Sequence, residues 1–150
     1  MIAKAYIGSV FTDHLKSLHT AAIDAKNGYV EALDDAAGNG MTGLFKEMID
    51  LHSAHADELK CALQKLGEEI DDNGAFMTAV HRTIFSIRSL FNGLGKSVLP
   101  GLIDGEERNA SHYGEALNIP GVPDDVRMIL IAERAHINSA IAKMRVAERS

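Results

Sequence analysis

Apolar residues recur three or four positions apart along most of the chain, the period of helices that bury one face. Glycine and proline cut this pattern into five helical stretches. The first is expected over about 12–37, with Leu15, Leu18, Ala22, Ala25, Tyr29 and Ala32 on one stripe and Gly38-Asn39-Gly40 as its stop. A second, over about 42–66, carries Phe45, Met48, Ile49, Leu59, Ala62, Leu63 and Leu66 and ends at Gly67. The acidic link Glu68 to Asp72 leads to a shorter amphipathic helix over about 75–94, striped by Phe76, Val80, Ile84, Ile87, Phe91 and Leu94. The fourth stretch, about 97–118, tolerates Pro100 in its first turn and is ended by Ile119-Pro120-Gly121. In the last, about 123–148, Pro123 pre-sets the first turn and Asp124 and Asp125 sit at the positive end of the helix dipole.

The short links predict two antiparallel hairpins, the first helix with the second and the fourth with the fifth. Joining two hairpins into a four-helix bundle needs one long crossover, and the 75–94 helix, at roughly 30 Å, has the length for it. A chain of 150 residues supports one well-buried core, so a single all-α domain is expected over 1–150. Composition agrees: 46% of residues are apolar but only 5% are aromatic, and tryptophan is absent. The formal charge of −6, with Lys and Arg scattered singly, argues against a nucleic-acid partner. No apolar run is long enough to span a membrane. A lone Cys61 and the lack of a secretory leader pattern make the reducing cytoplasm the expected location.

Polarity intrudes where burial is predicted. On the second helix the seam is broken only by His52 and His55; on the fourth by Glu106 and Asn109; on the fifth by Glu133, with His136 at its flank. An unpaired carboxylate in a bundle core must be paired, protonated or bound to a cation. Residues at i and i+3 share a helix face, so His52 with His55, and Glu133 with His136, can each aim two donors at one point. Mixed imidazole and carboxylate suits iron, zinc or manganese rather than calcium or magnesium. An internal repeat supports this: Tyr29-Val30-Glu31-Ala32-Leu33 returns as Tyr113-Gly114-Glu115-Ala116-Leu117, and His52-Ser53-Ala54-His55 parallels Glu133-Arg134-Ala135-His136. His14, His19, His81 and His112 are read as surface or flanking residues, with His19 the substitute ligand on the first helix.

Glu106 stands seven residues before Tyr113, and Glu133-Arg134-Ala135-His136 reads as Glu-x-x-His; on these residues the chain resembles the ferritin-like superfamily. Two positions depart from that pattern: His52 stands where a glutamate is expected, and Ala22 replaces the carboxylate seven residues before Tyr29. Within the superfamily, Gly28-Tyr29, Leu44-Phe45, Asp57-Glu58-Leu59, Gly105-Glu106, Tyr113 to Leu117 and Val126-Arg127 resemble a bacterial family of unknown function. The resemblance implies a ferritin-like antiparallel four-helix bundle with an extra amphipathic helix in the crossover. Its centre would bind iron or zinc, as one ion or an asymmetric pair, through His52, His55, Glu106, Glu133 and His136. Asn109, Tyr29 and Tyr113 would stand behind these ligands. Bound iron would imply oxygen or peroxide chemistry, including iron oxidation. The competing reading is a non-catalytic bundle in which His52 and His55 hydrogen-bond to Asn109 or Glu106 without metal. Phe85, Leu90 and Phe91 on the crossover helix offer an apolar surface for a homodimer.

Overall fold

A computed structural model describes residues 2–37, 40–68 and 98–149. These residues are helical apart from short turns: α1 (Ile2–Glu31), α2 (Leu33–Ala37), α3 (Thr42–Lys65), α4 (Leu99–Leu117) and α5 (Asp124–Arg149). No strand occurs among them. α1 begins ten residues before the expected start at Thr12, because Ile2 to Phe11 contains no proline to stop it. A turn at Ala32 separates α1 from α2, yet the helical bonds Ala32 N to Gly28 O (3.1 Å) and Ala36 N to Ala32 O (3.0 Å) persist across it. The expected crossover helix, and with it Phe85, Leu90 and Phe91, lies outside the described residues.

Three helix ends follow from local chemistry. At the C-terminus of α3, Gly67 takes φ +84°, and the turn closes with Gly67 N to Gln64 O and Glu68 N to Leu63 O, both 3.0 Å. That pair of bonds recovers two carbonyls the helix would otherwise leave open, and the left-handed φ is one that glycine alone adopts cheaply. Pro100 stands in the first turn of α4 and Asp124 and Asp125 in that of α5, as their backbone preferences require.

α1 packs against α3 and α4 against α5, while α4 also touches α1 and α5 also touches α3. The helices thus form a square in which α3 and α4 stand diagonally opposite. Pairs of contacts fix the directions: Lys16–Glu68 (3.1 Å) with Tyr29–Phe45 makes α1 and α3 antiparallel, Arg145–Glu107 (2.8 Å) with Tyr113–Glu133 does so for α4 and α5, and Lys143–Glu47 (3.8 Å) with His55–His136 for α3 and α5. Leu15, Phe45, Leu59, Leu63, Leu99, Leu130, Ile137 and Met144 fill the centre and are essentially inaccessible. Tyr29 meets Phe45 edge-on at 5.1 Å, locking the first hairpin near its turn.

Candidate functional site

The apolar stripes that drive the four long helices together carry polar groups into the core with them. His52 and His55 are 1% exposed on α3, Glu106 is 5% exposed on α4, and Glu133 is 1% exposed on α5. They form two clusters. In the first, Glu106 Oε2 accepts the Tyr29 hydroxyl at 2.9 Å and lies 2.9 Å from His52 Nε2, a contact that crosses the bundle diagonal. With Glu106 Oε2 as an ionised acceptor, the His52 Nε2–H donates the second hydrogen bond to it, and His52 Nδ1 is left without a partner among the described residues. Tyr29 also stacks on His52, with ring centroids 6.0 Å apart.

In the second cluster the Tyr113 hydroxyl donates to Glu133 Oε1 at 2.8 Å. Beside it, His55 Nε2 stands 3.4 Å from His136 Nδ1, and the two rings stack at 5.6 Å. His52 and His55 meet edge-on at 6.3 Å, so the clusters adjoin.

Burial sets the charge states. Loss of water holds His55 down to about 4, helped by the neighbouring His52 and His136, so its ring is neutral near pH 7. Burial likewise pushes Glu133 up to about 8; the Tyr113 hydrogen bond opposes this and the charge of Glu58 adds to it. Both tyrosines are raised far above their ordinary range by burial and by the carboxylates they face, so they remain donors.

The remaining valences are the notable feature. Glu106 Oε1, Glu133 Oε2, His52 Nδ1, His55 Nδ1 and Asn109 Oδ1 are buried with no hydrogen-bond partner among the described residues. Each such atom costs about 1–3 kcal/mol if left open. The donor atoms fit a transition-metal ion in chemistry, but no three His, Cys, Asp or Glu side chains among the described residues converge closely enough to hold one as they stand.

The family model described as "Domain of unknown function (DUF2383)" matches residues 10–119. The chain belongs to this family. No curated protein and no solved structure matches it. Within the DUF2383 match lie α3, α4 and most of α1, and hence Tyr29, His52, His55, Glu106, Asn109 and Tyr113; Glu133 and His136 of α5 fall beyond it.

In this DUF2383 domain all five expected ligands lie in or beside the polar core, in two groups rather than one. His52 pairs with Glu106 directly, Tyr29 and Tyr113 each hold one carboxylate, and Asn109 presents an open oxygen. His136 is exposed and reaches inward only through His55. Two corrections concern histidine and acid positions. His19, read from sequence as a surface or flanking residue, is 2% exposed, because it stands four residues after Leu15 and three before Ala22 on the buried stripe. Glu58 was read as part of a family pattern alone, yet its charge acts on Glu133. Its position three residues after His55 on α3 was the available signal. Ala22 is buried at 1% within the apolar core. Cys61 is free and exposed.

Proposed function

We propose that this DUF2383 domain is a ferritin-like bundle whose centre binds a divalent transition metal, iron or zinc. One observation carries the reading: among the described residues, five buried polar atoms have no hydrogen-bond partner, on His52, His55, Glu106, Glu133 and Asn109, and all five belong to residue types that can present a nitrogen or oxygen lone pair to a cation. A cation that displaces the proton of Glu133 can satisfy several of these atoms in one step, whereas hydrogen bonding needs a separate partner for each. His52, His55, Glu106, Glu133 and His136 would hold the ion, with Tyr29 and Tyr113 orienting the carboxylates through the oxygen each ion leaves free. Because the donors stand in two groups, loading would draw the His52–Glu106 and the His55–His136–Glu133 sides toward each other. Iron with an open position would supply oxygen or peroxide chemistry, or iron oxidation; that class follows from the superfamily resemblance alone.

A second reading has its own support. His52 and Tyr29 already hydrogen-bond to Glu106, and among the described residues no three ligands converge. A metal-free bundle with its remaining acceptors on ordered water would look like this.

The test is elemental analysis of protein purified without a histidine tag, with anaerobic titration of Fe2+ and Zn2+ into the chelated protein. The metal reading expects one or two ions per chain, a rise in melting temperature on loading, and loss of both in the His52→Ala, His55→Ala double variant. A wild-type protein that arrives metal-free and takes up neither ion leaves the metal-free network standing.

A further inference from the structure

A groove of about 400 Å³ opens between α3 and α5, a pair that packs less closely than the helices within either hairpin. Its outer wall carries Glu47, Asp50 and Glu58, all exposed, and at the rim Lys143 is tied to Glu47 at 3.8 Å. Buried His55 and exposed His136 also line it. His55 is 1% exposed overall yet borders this space, and its Nδ1 has no partner. Glu133, buried and with no hydrogen-bond partner for its Oε2 among the described residues, interacts with Glu58 of the groove lining. The groove thus brings surface carboxylates, an exposed and a buried imidazole, and through Glu58 a buried carboxyl group into one neighbourhood.

We propose that this groove is the route by which a divalent cation reaches the bundle centre. Glu47 and Asp50 attract the hydrated ion, Glu58 receives it, and the stacked His55–His136 pair takes it from oxygen to nitrogen ligation as water is shed. The proposal rests on the metal reading above. Glu47, Asp50 and Glu58 outnumber Lys143 on the lining, and a cleft of net negative charge concentrates cations and raises their on-rate. Two sides of the core are closed by the tightly packed α1/α3 and α4/α5 hairpins, and of the two seams between the hairpins it is the α3/α5 seam that carries His55 and the exposed His136.

Stopped-flow mixing of the chelated full chain with Co2+, read by the ion's visible absorption, tests the route. Glu47→Gln with Asp50→Asn should leave the number of ions bound unchanged and slow association about tenfold at low ionic strength, with a weakened dependence on salt. The same change of net charge made on α4, Asp104→Asn with Glu115→Gln, should slow it much less. Ala54→Phe, which fills the groove from an exposed position, should slow association and release together and so leave affinity nearly unchanged. Normal binding with unaltered rates in the groove variants overturns the route while the metal site stands. A wild-type protein that binds no Co2+ overturns the site and the route together.

Discussion

Replacing Glu133 by glutamine keeps the shape of the side chain and its acceptor for Tyr113 but removes one titrating group. In the metal-free fold the Glu133 carboxyl sits at about 8 against an ordinary 4.5, so the folded state binds more protons than the unfolded chain between those limits. Its contribution to stability is fully present below pH 4.5 and is lost as pH rises through 8. His55 acts with the opposite sign: at about 4 against an ordinary 6.5, its contribution is present above 6.5 and lost as pH falls through 4. Integrating each group alone from pH 4 to 7, Glu133 lowers stability by about 3 kcal/mol and His55 raises it by about 3 kcal/mol. The two nearly cancel on the acid side, and from pH 7 to 9 Glu133 alone removes about 1.5 kcal/mol more. Urea unfolding of both proteins with a chelator present, followed by far-ultraviolet circular dichroism at pH 4, 7 and 9, measures this. Groups common to both proteins cancel in the difference between the two profiles. That difference should fall by about 3 kcal/mol from pH 4 to 7 and by about 1.5 kcal/mol from 7 to 9. A difference that stays flat across the range refutes the claim that the bundle buries Glu133 as a neutral acid.

Gly67→Ala places a side chain at φ +84°, and although nothing lies within 4 Å of the new Cβ, the left-handed backbone should cost about 1–2 kcal/mol. Gly43→Ala, in the first helical turn of α3 with equally open surroundings, should instead stabilise by about 0.4–1 kcal/mol. Thermal melts that move both variants in the same direction would contradict the assignment of Gly67 as the α3 stop. Tyr29→Phe removes the 2.9 Å bond to Glu106 and should cost about 1–3 kcal/mol in urea unfolding, since the carboxylate stays buried with one donor fewer. A neutral outcome would show that Glu106 does not depend on that hydroxyl.

The helices were legible because periodicity and breakers act locally. The stripes on α3, α4 and α5, the stop at Gly67 and the start after Pro123 each depend on a few neighbouring residues. The presence of polar groups on buried faces was legible for the same reason, since His52, Glu106 and Glu133 interrupt otherwise apolar stripes. His19 shows the limit of that inference. Its place on the stripe of α1 was readable, but a histidine is comfortable on either side of a helix boundary with water, and only the packed neighbour decides.

Pairing across helices belongs to the tertiary structure. The repeat placed Tyr29 beside Tyr113 in pattern, yet Tyr113 turns to Glu133 on α5 while Tyr29 turns to Glu106 on α4. With Ala22 where a carboxylate would complete the symmetry and His52 in place of a glutamate, the nearest strong acceptor for Tyr29 lies on another helix. Spacing along one helix sets which residues share a face; the crossing of four helices sets which faces meet. The sequence alone therefore determined a helical bundle with ionisable groups turned inward. The distances between those groups, the division into two clusters and the open groove between α3 and α5 were decided by how the hairpins pack, because each depends on atoms far apart in the chain.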